Sequence, residues 1–324
     1  MSEITEIHAA WVPPPFPPQG RLPGRALQVG QNCHQQNSDE RRYHQELCLA
    51  AGRRVEPPCC KTLHISLFFD GTGNNLNHDF FIANPKHPTN IARLFRATIG
   101  DGTAGGVTDT KKMPLDGVKD SGGKYFKFYI PGVGTPFPEV NDPDYSTMGL
   151  VGAVKGEDRI NWALLRIIDV LMRLSKDKEN NSIKLSEGAS RESLKKMGTS
   201  WNRLWFGGSH NRYEEFTRLL NDLASDLKPL IIQPEPGKPK LTGIKLYVYG
   251  FSRGAAAART FVRWLSELLP PPAAEGEKPP QCLQTGGMQL PVSVEFLGLL
   301  DTVASVGVAH VVPVADGHMS WADG

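Results

Sequence analysis

No stretch of this chain approaches the roughly 18 consecutive apolar residues that a membrane-crossing helix requires. Nor does one sign of charge dominate. Lys and Arg number 36 against 34 Asp and Glu, and with no long basic block nucleic acid is not the expected partner. Cysteine is scarce. The five, Cys33, Cys48, Cys59, Cys60 and Cys282, are an odd set without metal-ligand spacing. The adjacent Cys59 and Cys60 suit neither a disulfide with each other nor a zinc knuckle. They read as reduced thiols of a protein made in the cytosol. Met1 to Ala10 carries acidic residues and no apolar segment, so no secretory signal peptide is expected, and any export needs another machine. No Gly-Lys-Ser or Gly-Lys-Thr stands in the frame of a P-loop, and no internal repeat is evident.

What is present suits a soluble globular protein: 40% hydrophobic and 22% charged residues over a length of 324, enough for one large domain or two modest ones. Residues 1–60 hold a polyproline-type arm, Trp11-Val-Pro-Pro-Pro-Phe-Pro-Pro-Gln-Gly20, which reads either as a ligand for a partner or as a spacer, with the spacer preferred, and a short helix over 39–52. Residues 61–324 form the expected domain. Leu63 to Phe69 alternates as a strand and runs into the turn-forming loop Asp70-Gly-Thr-Gly-Asn-Asn75. Tyr125 to Ile130 is a second strand, followed by Pro131-Gly-Val-Gly-Thr135. Apolar positions at 160, 164, 167, 168 and 171 predict a helix over 160–174, and Glu214 to Leu227 predicts another. An insertion covers about 175–240, with a polar stretch over 175–212 and an aromatic island at Trp201, Trp205 and Phe206. The island reads either as a lipid-facing lid or as apolar residues that dock the insertion; docking is preferred. Gly100 to Gly106 reads as a flexible loop and 270–291 as a long Pro- and Gly-rich connection. Strands at 244–249 and 292–300 flank a helix at 253–268. Strands alternating with helices predict an α/β fold with a mostly parallel sheet.

The densest chemical signal is Leu246-Tyr-Val-Tyr-Gly-Phe-Ser-Arg-Gly-Ala-Ala-Ala-Ala258, an apolar strand, a G-x-S-x-G turn and a strong helix former. That order is the nucleophile elbow of an α/β-hydrolase, which presents Ser252 at a sheet edge in strained backbone. Gly250 and Gly254 leave room around it. The amide of Arg253 at the helix N-terminus faces the place where an oxyanion forms. The competing reading is a tight strand-to-helix turn with a capping serine.

In this fold the acid and then the histidine follow the serine in chain order. Asp301 sits where a strand ends. It reads equally as the carboxylate that orients the imidazole and as a helix N-cap. The fold often places its acid two strands past the nucleophile, whereas only one strand is legible here. Of nine histidines, only His310 and His318 follow Asp301. Both stand as weak base candidates, and the chain reads as a hydrolase incomplete at its C-terminus. The loop after the first strand offers Gly71, Thr72 and Gly73 as a second source of oxyanion amides. Its Asp-x-Thr-x-Asn pattern faintly resembles a calcium loop, but the twelfth position is Phe81 rather than Glu.

Four segments occur in order: Phe69-Asp-Gly-Thr-Gly-Asn74, Tyr129-Ile-Pro-Gly-Val-Gly-Thr135, Gly250-Phe-Ser-Arg-Gly-Ala255 and Leu300-Asp-Thr-Val-Ala-Ser305. Together they resemble the first class of type VI secretion lipase effectors and the hydrolase-domain family associated with them, over roughly residues 60–324. The resemblance implies an α/β-hydrolase with insertions and phospholipase A activity on glycerophospholipid acyl esters. Ser252 would be the nucleophile and Asp301 the acid, with the histidine downstream of a segment like Asp316 to Asp323. It implies delivery by a secretion spike protein into a rival cell's periplasm, an immunity protein in the producer, and peripheral contact with a membrane surface. No metal or cofactor is required by this chemistry. The alternatives are a catalytically inactive delivery or partner-binding module and a soluble carboxylesterase.

Overall fold

The computed structural model describes residues 60–107, 123–145, 155–175, 185–198, 208–232, 239–272 and 279–303, with isolated positions 27, 31, 34 and 38. The Pro-rich arm, the 39–52 segment, the aromatic island, His310 and His318 lie outside the described residues.

Six strands form one sheet in the order β2-β3-β1-β4-β6-β5: β1 Cys60–Phe69, β2 Asp101–Ala104, β3 Tyr125–Ile130, β4 Lys240–Phe251, β5 Cys282–Thr285 and β6 Met288–Leu300. All neighbouring pairs are parallel except β5 with β6. Among the described residues these α-helices accompany them: α1 Asn90–Ala97, α2 Gly156–Ser175, α3 Glu187–Met197, α4 Gly208–Asp222, α5 Ala224–Ile231 and α6 Arg253–Glu267. The expected α/β fold with a mostly parallel sheet is what the chain forms, an architecture consistent with an α/β-hydrolase.

The two faces of the sheet can be read from β1. Leu63, Ile65, Leu67 and Phe69 point into the larger core, which takes in α2 and α6, while Phe68 points the other way onto Ile91, Ala92 and Phe95 of α1. This period-2 partition is what a strand with helices on both faces must show. The predicted helix at 160–174 begins earlier, at Gly156. Its apolar stripe is wider than the five spaced positions suggested, because Trp162, Ala163, Leu165 and Val170 are also buried. The helix lies between the sheet and α3–α5, so most of its sides need apolar cover.

Several expectations are corrected. Gly100 to Gly106 is not merely a loop: Asp101–Ala104 pairs with β3 at the sheet edge. The stretch 270–291 holds a hairpin, with Gly286 and Gly287 at φ 51° and 77° joining β5 to β6. Two successive left-handed residues make the turn that matches strand twist. The polar 175–212 stretch contains α3. The helix expected over 214–227 is two helices, since Gly208–Asp222 ends before Leu223 and Ala224–Ile231 follows. Of the described cysteines, Cys282 is a buried free thiol. Among the described residues, no helix is long and apolar enough to cross a membrane.

Candidate active site

β4 ends at Phe251 and α6 begins at Arg253, which leaves Ser252 alone to turn the chain. Its backbone sits at φ 55°, ψ −127°, a combination strongly disfavoured for a residue with a side chain. The neighbours explain how it is held. A Cβ at Gly250 would meet the Gly254 carbonyl oxygen at 2.5 Å. One at Gly254 would meet the Asp70 and Phe69 carbonyl oxygens at 2.3 and 2.5 Å. These contacts are with backbone and cannot be relieved by a rotamer change. Behind the turn, Ala255 and Ala258 are fully buried and bring α6 close to the sheet. The sequence therefore spells out a close approach that holds the serine in an unfavourable conformation.

Three strand ends converge there. Phe69 pairs with Gly250 and Phe251 with Leu300, so the residues after β1 and β6 flank Ser252. The Ser252 amide donates to the Leu300 carbonyl at 3.0 Å. Asp301, the next residue, ends β6 at φ 48° and is exposed. Sheet register thus brings the two predicted triad members side by side. No described residue hydrogen-bonds to the Ser252 hydroxyl or the Asp301 carboxylate, and His310 and His318 lie outside the described residues.

The loop after β1 is more tightly built than its glycine content suggests. Of its three candidate amides, Gly71 donates to Asp70 Oδ1 at 2.8 Å and Gly73 to the Val133 carbonyl at 3.1 Å. These two are engaged within the protein, which corrects their assignment as oxyanion donors. Thr72 remains as the loop's candidate. The 131–135 loop interlocks with this one. Gly132 donates to the Asn74 carbonyl at 3.0 Å, and a Cβ on Gly132 would lie 1.7 Å from the Gly71 oxygen. Arg159 of α2 holds the second loop from behind. It donates to the Pro131 and Thr135 carbonyls at 3.2 and 2.6 Å and to Asp142 Oδ2 at 2.8 Å.

Asp70 is the residue that sequence reasoning passed over. Its carboxyl is buried and accepts from Tyr129 Oη at 2.6 Å, Thr89 Oγ1 at 2.8 Å and the Gly71 amide. Burial pushes its pKa up to about 6, although those donated hydrogen bonds pull it down; the Asp79 carboxylate adds a smaller upward push. Tyr129 is held well above its usual range, by burial first and then by the Asp70 charge. Thr89 also caps α1, accepting from the Ala92 amide at 3.0 Å. One carboxyl therefore ties β1, β3 and α1 together directly beneath the elbow. Its partners are 19 and 59 residues away in the chain, so no local pattern reveals them.

Two spaces adjoin the elbow. A cleft of about 640 Å³ opens beside it, lined by Thr89, Ile91, Arg93, Phe251, Leu299 and Asp301 among others. That size suits a small ligand or part of a lipid. A pocket of about 10 Å³ lies below, between Asp70, Arg159, Arg253 and Gly254, with room for about one water. Leu297, Leu299, Leu300 and Val303 stand exposed along the end of β6, giving the cleft an apolar flank. Farther along the loop after β1, the ligand atoms of His78, Asp79 and His87 gather within 4.8 Å of one another.

No protein-family model matches the chain, and no curated protein matches it. A solved structure does: the crystal structure of an uncharacterized protein from Pseudomonas aeruginosa, 34% identical, with a TM-score of 0.63. The likeness covers 95% of this chain and 38% of that one. The fold described here is therefore similar to a crystallographically determined one, and this chain spans well under half of that protein's length.

Proposed function

We propose that this chain carries the catalytic serine and acid of an ester hydrolase acting on glycerophospholipid acyl esters. The observation that carries the reading is the backbone of Ser252, left-handed and strained at a strand-to-helix turn, with glycines on both sides in contact with backbone. A capping serine needs no such conformation, since an N-cap residue normally sits in extended backbone and accepts from the helix. Ser252 makes no side-chain cap hydrogen bond.

In the proposed reaction Ser252 Oγ attacks the ester carbonyl. The Arg253 amide, backed by the start of α6, and the Thr72 amide receive the developing oxyanion. Asp301 orients the imidazole that takes the serine proton and returns it to the leaving alcohol. That imidazole comes from outside the described residues, where His310 and His318 are the candidates of this sequence. The acyl-ester substrate fits the apolar flank of the cleft at Leu299 and Leu300, with Arg93 available to a phosphate. The resemblance to type VI lipase effectors adds the biological setting: delivery by a spike protein to the periplasm of a rival cell, and neutralisation by an immunity protein.

The test is fatty-acid release from phospholipid vesicles compared with dissolved short-chain esters. Vesicle hydrolysis is expected to exceed that of soluble esters and to fall at least about 10³-fold in Ser252→Ala. Periplasmic expression of the wild-type chain is expected to arrest a bacterial host, whereas Ser252→Ala does not. Hydrolysis of soluble esters alone supports a carboxylesterase instead. One observation favours a second reading, an inactive partner-binding module: no described residue hydrogen-bonds to the Ser252 hydroxyl or to Asp301. Absence of hydrolysis in folded protein supports that module.

A further inference from the structure

We propose that His78, Asp79 and His87 form a binding site for a divalent transition metal of borderline character, with zinc the probe of choice. The three residues belong to the segment between β1 and α1, and two of them sit in a single π-helical turn, Asn77–Ile82. Such turns are rare and recur at functional positions. The geometry is that of a ligand set. His78 Nδ1 lies 3.1 Å and His87 Nδ1 3.7 Å from the same oxygen, Asp79 Oδ1. Around a tetrahedral ion with bonds of 2.0–2.1 Å, neighbouring donor atoms stand about 3.3 Å apart. The three ligand atoms lie within 4.8 Å of one another, so His87, more than half exposed, has to swing in by up to about 1.5 Å to complete that spacing.

The two oxygens of Asp79 are already divided between roles. Oδ2 accepts the Asn75 amide at 3.0 Å, which leaves Oδ1 facing both imidazoles. Its side chain is 4% exposed, and a carboxylate so buried calls for a cation or donors beside it. Supporting contacts fix the histidines. The His87 amide donates to the Asp79 carbonyl at 3.0 Å and closes the segment on itself, while Tyr145 meets the His78 ring edge-on at 6.0 Å. Two imidazoles and one carboxylate favour zinc and its neighbours over calcium or magnesium, which prefer all-oxygen shells. The exposed side, where His78 and His87 reach solvent, leaves a position for water. Metal bound here clamps the segment that leads from Asp70 and Thr72 to Thr89, and its presence does not depend on Ser252 being a nucleophile.

The experiment uses the chelator-treated full chain. Zinc uptake is measured by calorimetry and equilibrium dialysis, and cobalt(II) is added for its visible absorption. One ion per chain is expected, with the absorption intensity of a four-coordinate N/O site and a raised thermal midpoint. His87→Ala, whose side chain is surface-exposed, is expected to weaken binding at least about 10-fold and His78→Ala/His87→Ala to abolish it, with circular dichroism unchanged. His210→Ala, an exposed histidine paired with Glu214 on α4, is expected to bind as wild type. Zinc stoichiometry unchanged in the double variant, or no uptake by folded wild-type protein, overturns the site.

Discussion

Ser252 and Asp70 pose opposite problems at the scale of the residue. Ser252 was legible because everything that marks it is local: a strand before, a glycine two residues away on each side, alanines after. Asp70 was not, because its meaning comes from Tyr129 and Thr89, which reach it only once β1, β3 and α1 have assembled. Asp70 also makes a pH-dependent claim. Its pKa is raised from 3.8 to about 6 in the folded protein, so the native state holds this proton more tightly than the unfolded chain does. The resulting stabilisation is complete below pH 4 and is lost as pH rises through about 6, a difference of roughly 3 kcal/mol. Urea unfolding of wild type and Asp70→Asn across pH 4 to 8 checks this. Wild type should lose about that much relative to the variant by pH 7, while parallel curves would remove Asp70 from the account. Asp301 marks the limit of residue-level reading. Chain order made it a candidate equally well explained as a cap, and only the β4–β6 register puts it beside the serine.

At the scale of the element, the loops after β1 and β3 act as one unit with the turn after β4. They share hydrogen bonds between Gly73 and Val133 and between Gly132 and Asn74, and the loop after β1 lies against the elbow through Gly71 beside Phe251 and the Asp70 carbonyl beside Gly254. Gly254→Ala puts a methyl group 2.3 Å from the Asp70 carbonyl oxygen, so the β1 end or α6 must shift. A cost of about 3 kcal/mol in chemical denaturation is expected, together with loss of the proposed esterase activity. A variant of wild-type stability would mean the elbow is not held by this contact. The elements that sequence missed share a cause. β2 is Asp-Gly-Thr-Ala, poor in strand-forming residues, and exists because β3 offers it an edge. The β5–β6 hairpin was hidden among prolines and glycines, although its Gly286-Gly287 pair was a readable turn signal. α3 is polar on most of its surface because it sits on α2 and α4 rather than on the sheet.

Across the whole molecule, the parallel sheet gathers its chemistry at one edge. The ends of β1, β4 and β6 supply Asp70, Ser252 and Asp301, as expected for an α/β sheet in which ligands meet the carboxyl ends of the strands. The cleft beside Phe251 and the apolar run Leu297, Leu299 and Leu300 lie at that same edge. Fold class and the position of the serine followed from hydrophobic periodicity and one local motif. The cleft, the Asp70 cradle and the His78–Asp79–His87 group required tertiary structure. The central claim is that Ser252 is an activated nucleophile, and intact mass after exposure to a fluorophosphonate tests it most directly. The account predicts a single adduct on the folded wild-type protein that is absent from Ser252→Ala. No adduct on protein shown to be folded by circular dichroism, or an adduct that survives the substitution, would contradict it.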